Sequence, residues 1–162
     1  MIQLHAWEGV AQGGLPVDPI ECDSLRRRLR QRARHVDAYI HRSAVAQLIG
    51  RQSVVWSGRA AASRLDLPLD STADDVVHVY VTASTLAELG DLKIVQLRNG
   101  STAANATVHV VDEETWPLLP DGDAAPLVVS LDLAHDDDRA ERLVRESVLR
   151  SVRRNHHHRS RR

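Results

Sequence analysis

A run of arginines near the start of the chain is the strongest chemical signal in the sequence. Arginine side chains that contact phosphates release counterions, which makes binding to nucleic acid depend on salt. We expect six residues to form a nucleic-acid-binding site: Arg26, Arg27, Arg28, Arg30, Arg32 and Arg34. No aromatic residue is interleaved with them, so stacking on single-stranded bases is not expected. The same run could instead bind an acidic protein, or form a solvated face that neutralises the rest of the chain.

Carboxylates and a lysine offer a different hypothesis, a Mg²⁺-dependent nuclease. Such an enzyme needs converging carboxylates and often a lysine near the transferring phosphate. Glu88, Asp91 and Lys93 lie between a predicted helix and a predicted strand, and Asp112–Glu114 follow another strand. Their spacing matches no nuclease signature. We therefore assign no catalytic residue and expect the protein not to be an enzyme.

The histidines and the serine-glycine pair give no catalytic or metal signature. His156–His158 could bind a metal ion, but such a tract is more typical of an incidental tail, and we predict neither a metal nor a cofactor. His78 and His109 alternate with apolar residues in predicted strands, where we expect solvent-facing or hydrogen-bonded side chains without a role. Ser57-Gly58 lacks the Gly-x-Ser-x-Gly pattern of a nucleophile elbow.

Composition and charge bound the remaining possibilities. With 162 residues the chain is long enough for one domain with tails. Cys22 is the only cysteine, which excludes an intrachain disulfide and a Cys-rich zinc site. Residues 24–64 contain ten Arg and one Asp, whereas residues 65–138 contain fifteen acids against Lys93 and Arg98. A basic segment on an acidic body suggests a polyanionic partner.

The elements that carry the arginines are predicted to be helical. A helix starting at Asp23 or Ser24 would bury a stripe of apolar residues at helical spacing, formed by Leu25, Leu29, Ala33, Val36 and Ile40. Most of the arginines would then lie away from that stripe. A second short helix is expected from Ser43 to Ile49, stopping at Gly50.

The rest of the chain predicts a small sheet with short helices. Strands are expected at Gln52–Trp56, Val76–Val81, Leu92–Leu97 and Thr107–Val111, with Asn99-Gly100 joining the last two as a hairpin. Helices are expected at Arg59–Leu65, from Thr82 or Ser84 to Gly90, and from about Asp137 to Val152, with Asp112–Ala125 a loop and Leu127–Leu131 a strand or a helix start. The fold class is therefore α+β (mixed α/β): a four- to five-stranded sheet, short helices, an Arg-rich N-terminal helix and a long C-terminal helix.

Six short segments follow one another along the chain: Val54–Ala62, Leu65–Pro68, Val77–Val81, Ala104–Val108, Pro126–Leu133 and Arg139–Leu149. In this order they resemble the C-terminal region of the AbiEi-type antitoxins. These are antitoxins and transcriptional regulators of bacterial type IV toxin–antitoxin (abortive infection) systems. The matching features include Ser57-Gly58 at a helix start and Leu131-Asp132-Leu133 before the last helix. We expect Asp132 to be structural, as a cap or a local hydrogen-bond acceptor.

The resemblance implies DNA binding, repression of the protein's own promoter and neutralisation of a nucleotidyltransferase-like toxin, with no catalytic motif. In that family the DNA-binding element is an N-terminal winged helix. Only about fifty residues precede the matching region here, and they show no complete pattern of three helices and a wing. Either the DNA-binding element is reduced to the Arg helix or it is missing.

We therefore expect four segments: a flexible arm (1–21), a basic helical segment (22–50), an AbiEi-like α/β domain (51–153) and a disordered basic tail (154–162). The predicted function is an antitoxin-like, DNA-binding transcriptional regulator, whose partners are its promoter DNA and a cognate toxin. A homodimer would suit a two-fold operator. No signal peptide or membrane-spanning run is recognised, so a cytoplasmic location is expected. The alternatives are a protein-interaction module that places its basic helix on an acidic partner and, third, the metal-dependent nuclease.

Overall fold

A five-stranded mixed sheet forms the centre of the structure, a computed structural model that describes residues 33–67, 69, 75–98, 104–136, 139, 142 and 146. The strands are β1 (Arg34–Ile40), β2 (Val55–Ser57), β3 (Val77–Thr82), β4 (Val95–Leu97) and β5 (Ala106–Val111). Within the described residues the helices are α1 (Arg42–Leu48), α2 (Gly58–Arg64), α3 (Ala83–Asp91) and α4 (Pro126–Asp136), with a 3-10 turn at Trp116–Leu118. The predicted α+β class, with five strands and short helices, is confirmed.

The strand order in the sheet is β2-β3-β5-β1-β4. β3 and β5 are parallel, and the other neighbouring strands are antiparallel. β4 therefore runs in the same direction as β3, and α3 is the crossover that connects them. This helix packs against β3, β4 and β5, as a connection between parallel strands requires.

The two faces of the sheet differ in polarity. On one face Val79 lies beside Val108, and both are fully buried. On the opposite face Tyr80 lies beside His109, which also lies beside His35 of β1. Because side chains alternate along a strand, a single register gives an apolar face and a face with buried polar groups.

The outer edge of β2 is occupied by the chain that leads into α4. The N–H of Trp56 donates to the carbonyl of Gly122, and the N–H of Ala124 donates to the carbonyl of Trp56, both at 2.7 Å. The Arg64 guanidinium forms an ion pair with Asp123 and lies over the Trp56 ring, 5.2 Å from its centre. These contacts place the start of α4 beside β2 and α2.

Local signals in the sequence located several element ends. Thr82 caps α3, because its hydroxyl accepts a hydrogen bond from the N–H of Thr85 at 3.2 Å. α1 occupies the predicted second helix and is followed by Gly50, whose φ is +82°. Such a φ is accessible mainly to glycine, which explains why the helix stops there.

The predicted helix from Asp23 through Ile40 is wrong over residues 34–40, which form β1. Ala38 and Ile40 are buried and alternate with the half-buried Tyr39. This period of two matches a strand inserted between β5 and β4. β1 thus joins the same sheet as the strands of the predicted 51–153 domain. The rest of the predicted Arg helix lies outside the described residues.

The predicted hairpin between the strands at Leu92–Leu97 and Thr107–Val111 is also wrong. β1 lies between β4 and β5, and each pairs with β1 instead of with the other. Forming the hairpin would remove a central strand whose Ala38 and Ile40 are completely buried. The Asn99-Gly100 turn itself lies outside the described residues.

The segment at Leu127–Leu131, left open between strand and helix, belongs to α4, which ends at Asp136, just before the expected start of the C-terminal helix at Asp137. Arg139, Arg142 and Glu146 are helical and exposed, and the other residues of the predicted C-terminal helix, like the tail, lie outside the described residues. Among the helices of the described residues, none is long and apolar enough to cross a membrane.

Candidate functional site: a buried aspartate cluster

Of the six arginines predicted to bind nucleic acid, the structure describes Arg34. It is the first residue of β1, it is exposed, and it lies opposite Val110 of β5. Arg34 therefore lies on a strand, and its predicted helical setting is wrong. The other five lie outside the described residues: Arg26, Arg27, Arg28, Arg30 and Arg32.

Three of the acids considered for a nuclease are hydrogen-bonded at different places. Glu88 accepts a hydrogen bond from Arg51 at 3.0 Å, near the end of α3. Glu113 accepts from Ser84 at 3.2 Å, near the start of the same helix. Asp112 accepts from the N–H of Thr115. Within the described ranges, no three His, Cys, Asp or Glu side chains are arranged to hold a metal ion.

The polar groups that the structure does bring together are buried under α4. We call them the Asp132 cluster, which consists of Ser57, His78, Tyr80, His109 and Asp132. The end of β2, the middle of β3, the middle of β5 and α4 contribute its members. The register sets Ser57 beside His78 and Tyr80 beside His109. These four side chains therefore lie on one face of the sheet. α4 packs over that face, and its Asp132 side chain contacts Ser57, Tyr80 and His109.

The carboxylate of Asp132 is the acceptor at the centre of the cluster. Ser57 Oγ donates to Asp132 Oδ2 at 2.5 Å, and the Tyr80 hydroxyl donates to the same oxygen at 2.8 Å. Asp132 is 2% exposed, and both donors are completely buried. A buried carboxylate is tolerated where it is hydrogen-bonded, so these two donors explain how an acid can occupy this face of α4.

Two histidines extend the cluster away from the carboxylate. His109 Nε2 lies 3.8 Å from Asp132 Oδ1 and 3.1 Å from His78 Nδ1. The His109 ring stacks on Tyr80 with centroids 4.5 Å apart, and the His35 ring meets it edge-on at 4.7 Å. Of the two settings expected, solvent-facing or hydrogen-bonded, the structure shows the second, and both histidines are buried.

Gly58 is required by the position of the His78 ring. A Cβ at residue 58 would lie 2.8 Å from His78 Cδ2, and Gly58 also has φ +62°. A side chain there would meet both a steric clash and an unfavourable backbone conformation. The Ser57-Gly58 pair therefore supplies a donor to Asp132, followed by a residue that leaves space for the ring.

The cluster contains the residue types of a serine hydrolase but not their arrangement. A nucleophilic serine needs a histidine that takes its proton, whereas the Ser57 hydroxyl donates to Asp132. Ser57 is completely buried, and His109 is 2% exposed, so substrate has no access to either group. What the arrangement does is join α4 to β2 and β3 through one carboxylate.

Sequence reasoning assigned His78 and His109 no role and gave Asp132 a local structural one. The acceptor role is correct, but its donors lie 75 and 52 positions away. Comparison of the chain with protein-family models, curated proteins and solved structures finds no match.

Proposed function

We propose that this protein is an AbiEi-like antitoxin and DNA-binding transcriptional regulator of a bacterial toxin–antitoxin system. It acts in the cytoplasm by contact rather than by catalysis. Its partners are its own promoter DNA and a cognate nucleotidyltransferase-like toxin. The observation that carries the proposal is the Asp132 cluster, because four of its five members come from the segments on which the resemblance rests; His109 directly follows one of them.

Three of those segments meet in one place. Ser57 belongs to Val54–Ala62, Tyr80 to Val77–Val81, and Asp132 to Pro126–Leu133. Both hydroxyls donate to the Asp132 carboxylate. These contacts pack the three segments against one another. The convergence therefore supports treating the segments as parts of one domain of the AbiEi type.

The burial of this cluster also favours a binding role over a catalytic one. Ser57, His109 and Asp132 are the residues whose types suit nucleophilic catalysis, and all three are at least 98% buried. A group that must react with substrate needs access to it. The cluster instead stabilises a scaffold, which leaves function to the surface and to the basic segment.

The basic segment is the proposed nucleic-acid contact. The arginine run ends at Arg34, which is exposed at the start of β1, so the run is directly continuous with a strand of the sheet. Six phosphate contacts would give a salt slope of about −5 in log K against log salt concentration. Affinity should then fall roughly 10³-fold between about 50 and 200 mM salt.

Fluorescence anisotropy with duplex DNA from the chain's own upstream region tests the proposal. Binding at about 50 mM salt that favours this duplex over an unrelated one of equal length would support it. A variant with Arg26, Arg27, Arg30 and Arg34 changed to alanine should lose most of the affinity and reduce the slope to about −2.

Two control variants isolate the contribution of charge within the run. Lysine at the same four positions keeps the charges and should keep most of the salt-dependent affinity. Arg42→Ala removes one exposed arginine from α1, outside the run, and should leave binding to the promoter duplex almost unchanged. Absence of binding at the lower salt concentration would refute the DNA-binding proposal. It would leave the alternative that the basic segment docks on an acidic protein.

A further inference from the structure

The outer edge of β4 has no neighbouring strand in the described part of the chain. The corresponding edge of β2 is occupied by the chain that leads into α4, whereas β4 pairs with β1 on one side. The N–H of Arg98 donates to the carbonyl of Asp37 in β1 at 2.9 Å, and hydrogen bonding alternates along an antiparallel pair. The N–H and C=O groups of Val95 and Leu97 therefore point away from β1, toward the outer edge.

An exposed leucine lies at this edge. Of the two outward positions, Val95 is buried and Leu97 is 55% exposed, although the register places Leu97 on the apolar face of the sheet with Val79 and Val108. An extended segment that adds to a sheet edge gains main-chain hydrogen bonds and contacts for alternate side chains. The edge of β4 offers both, the first through its outward groups and the second through the Leu97 side chain.

Two cations flank the outward positions, Lys93 before them and Arg98 after them. Three other arginines of the described chain each form an ion pair with an acid, whereas Lys93 and Arg98 form none within the described residues. The Arg98 guanidinium donates to the neutral Gln96 side chain at 3.1 Å. The acids closest in the sheet and in the chain, Asp37 and Asp91, are exposed and not ion-paired with either cation. The edge therefore matches a partner that brings carboxylates.

The backbone at Lys93 is strained. Its φ is +58°, and it closes the end of α3, where its N–H donates to the carbonyl of Gly90 at 2.9 Å and the N–H of Ile94 donates to the carbonyl of Leu89 at 3.0 Å. Glycine is the usual residue at such a helix end, because a side chain in the left-handed region costs free energy. The chain thus places a cation beside β4 at a position where glycine would be more stable.

We propose that the outer edge of β4 is a docking site for an extended, acidic segment of a partner protein. The segment pairs with the outward groups of Val95 and Leu97 and places carboxylates beside Lys93 and Arg98. A second copy of this chain fits less well, because its own β4 would bring the same two cations to the edge. The docking site does not depend on the proposed binding of promoter DNA, which uses the arginine run before β1.

Titration of the isotope-labelled full chain with the capped peptide Glu-Val-Thr-Val-Thr-Glu, followed by amide chemical shifts, tests the docking site. The shifts should be largest at Val95 and Leu97 and small at Gln96, whose N–H faces β1. We expect a Kd of about 0.1–1 mM, because ordering a free peptide consumes most of the gain. The same peptide with lysine in place of both glutamates should bind at least about tenfold more weakly.

Two variants of Lys93 separate a binding role from a structural one. Lys93→Gly should lower the affinity for the acidic peptide about two- to fivefold through loss of an exposed ion pair. It should also raise the urea midpoint by about 0.5 M, because glycine adopts the positive φ without strain. Lys93→Arg keeps the charge and the side chain, and should leave both quantities almost unchanged.

The wild-type chain alone is sufficient to overturn the proposal. Absence of shifts at Val95 and Leu97 up to about 2 mM peptide refutes the docking site, and equal binding of the two peptides refutes its preference for acids. Shifts of these amides on dilution of the free chain would assign the edge to a second copy. Slow hydrogen exchange of the Leu97 amide in the free chain would show an edge that is already covered. Unchanged affinity in Lys93→Gly would equally contradict the proposal.

Discussion

Among the described residues, the Asp132 carboxylate is expected to make the largest single polar contribution to stability. Replacing it by alanine removes the acceptor of two hydroxyls, those of Ser57 and Tyr80, which are both completely buried. A buried donor left without its partner costs about 1–3 kcal/mol. Two such donors give about 2–6 kcal/mol, and relief from burying the carboxylate offsets part of it. We expect Asp132→Ala to destabilise the protein by roughly 3 kcal/mol.

Urea unfolding followed by tryptophan fluorescence measures this loss. With a slope of about 2 kcal/mol per molar urea, a loss of roughly 3 kcal/mol lowers the midpoint by about 1.5 M. Asp132→Asn keeps one acceptor oxygen and the shape of the side chain, so its loss should be smaller, about 1–2 kcal/mol. Asp121→Ala, which removes the same group from an exposed loop position, should change stability by no more than about 0.5 kcal/mol.

A double-mutant cycle identifies the donor responsible for the effect. Tyr80→Phe removes one donor and leaves the ring that stacks on His109. Once Asp132 is alanine, the tyrosine hydroxyl has lost this acceptor, so Tyr80→Phe should cost less in that background than in the wild type. Two results would refute the reasoning about the cluster. In the first, Asp132→Ala lowers the urea midpoint no further than Asp121→Ala does. In the second, the losses of stability in Asp132→Ala and Tyr80→Phe are additive in the double mutant.

Other substitutions test single contacts, each by urea unfolding. Gly58→Ala should cost roughly 2–5 kcal/mol, because its Cβ would lie 2.8 Å from the His78 ring at positive φ. Gly50 also has a positive φ, but the space around it is open, so Gly50→Ala should cost only about 1–2 kcal/mol. Equal losses in the two variants would contradict the steric argument. Thr82→Ala should lower stability by about 1 kcal/mol through loss of the α3 cap. Thr82→Ser keeps the capping hydroxyl and should retain most of that stability. Ser130→Ala should leave stability unchanged or raise it by about 1 kcal/mol, since its buried hydroxyl has no hydrogen-bond partner in the described part of the chain; a clear loss would reveal a partner.

Element positions set by local chemistry were predictable from the sequence, and those set by strand insertion were not. The Thr82 cap and the stop at Gly50 depend on neighbouring backbone groups, which the sequence displays directly. In β1 the same residues fit both periods, because Val36 and Ile40 suit a helix and the alternation through Ala38 suits a strand. Pairing with β5 and β4 selects the strand over the helix. These pairing partners lie far away along the chain, so the residues of β1 alone do not reveal them.

The Asp132 cluster was hidden for a related reason. In Val77–Val81 a histidine and a tyrosine alternate with valines, which normally indicates a strand with one solvated face. Here α4 covers that face, so the alternating polar residues are buried. The usable signal lies in α4 itself, where Asp132 is the one acid among the apolar residues from Pro126 to Leu133. An acid in such a segment must find donors, and the nearest in space are far away along the chain.

The register of β1 also gives a physical basis for separating the two interpretations of the basic segment. Arg34 lies opposite Val110, two residues before the exposed Asp112–Glu114. Arg34, the last arginine of the run, therefore lies at the end of the sheet where these acids follow β5. If the run serves mainly to neutralise the body of the protein, its replacement by alanine should lower stability, and the wild type should have no affinity for duplex DNA. If the run binds phosphate, the acids oppose the ligand, and the alanine variant should lose affinity while its stability changes little. Measuring stability and affinity on the same variant therefore distinguishes self-neutralisation from nucleic-acid binding, which salt dependence alone does not because screening weakens both.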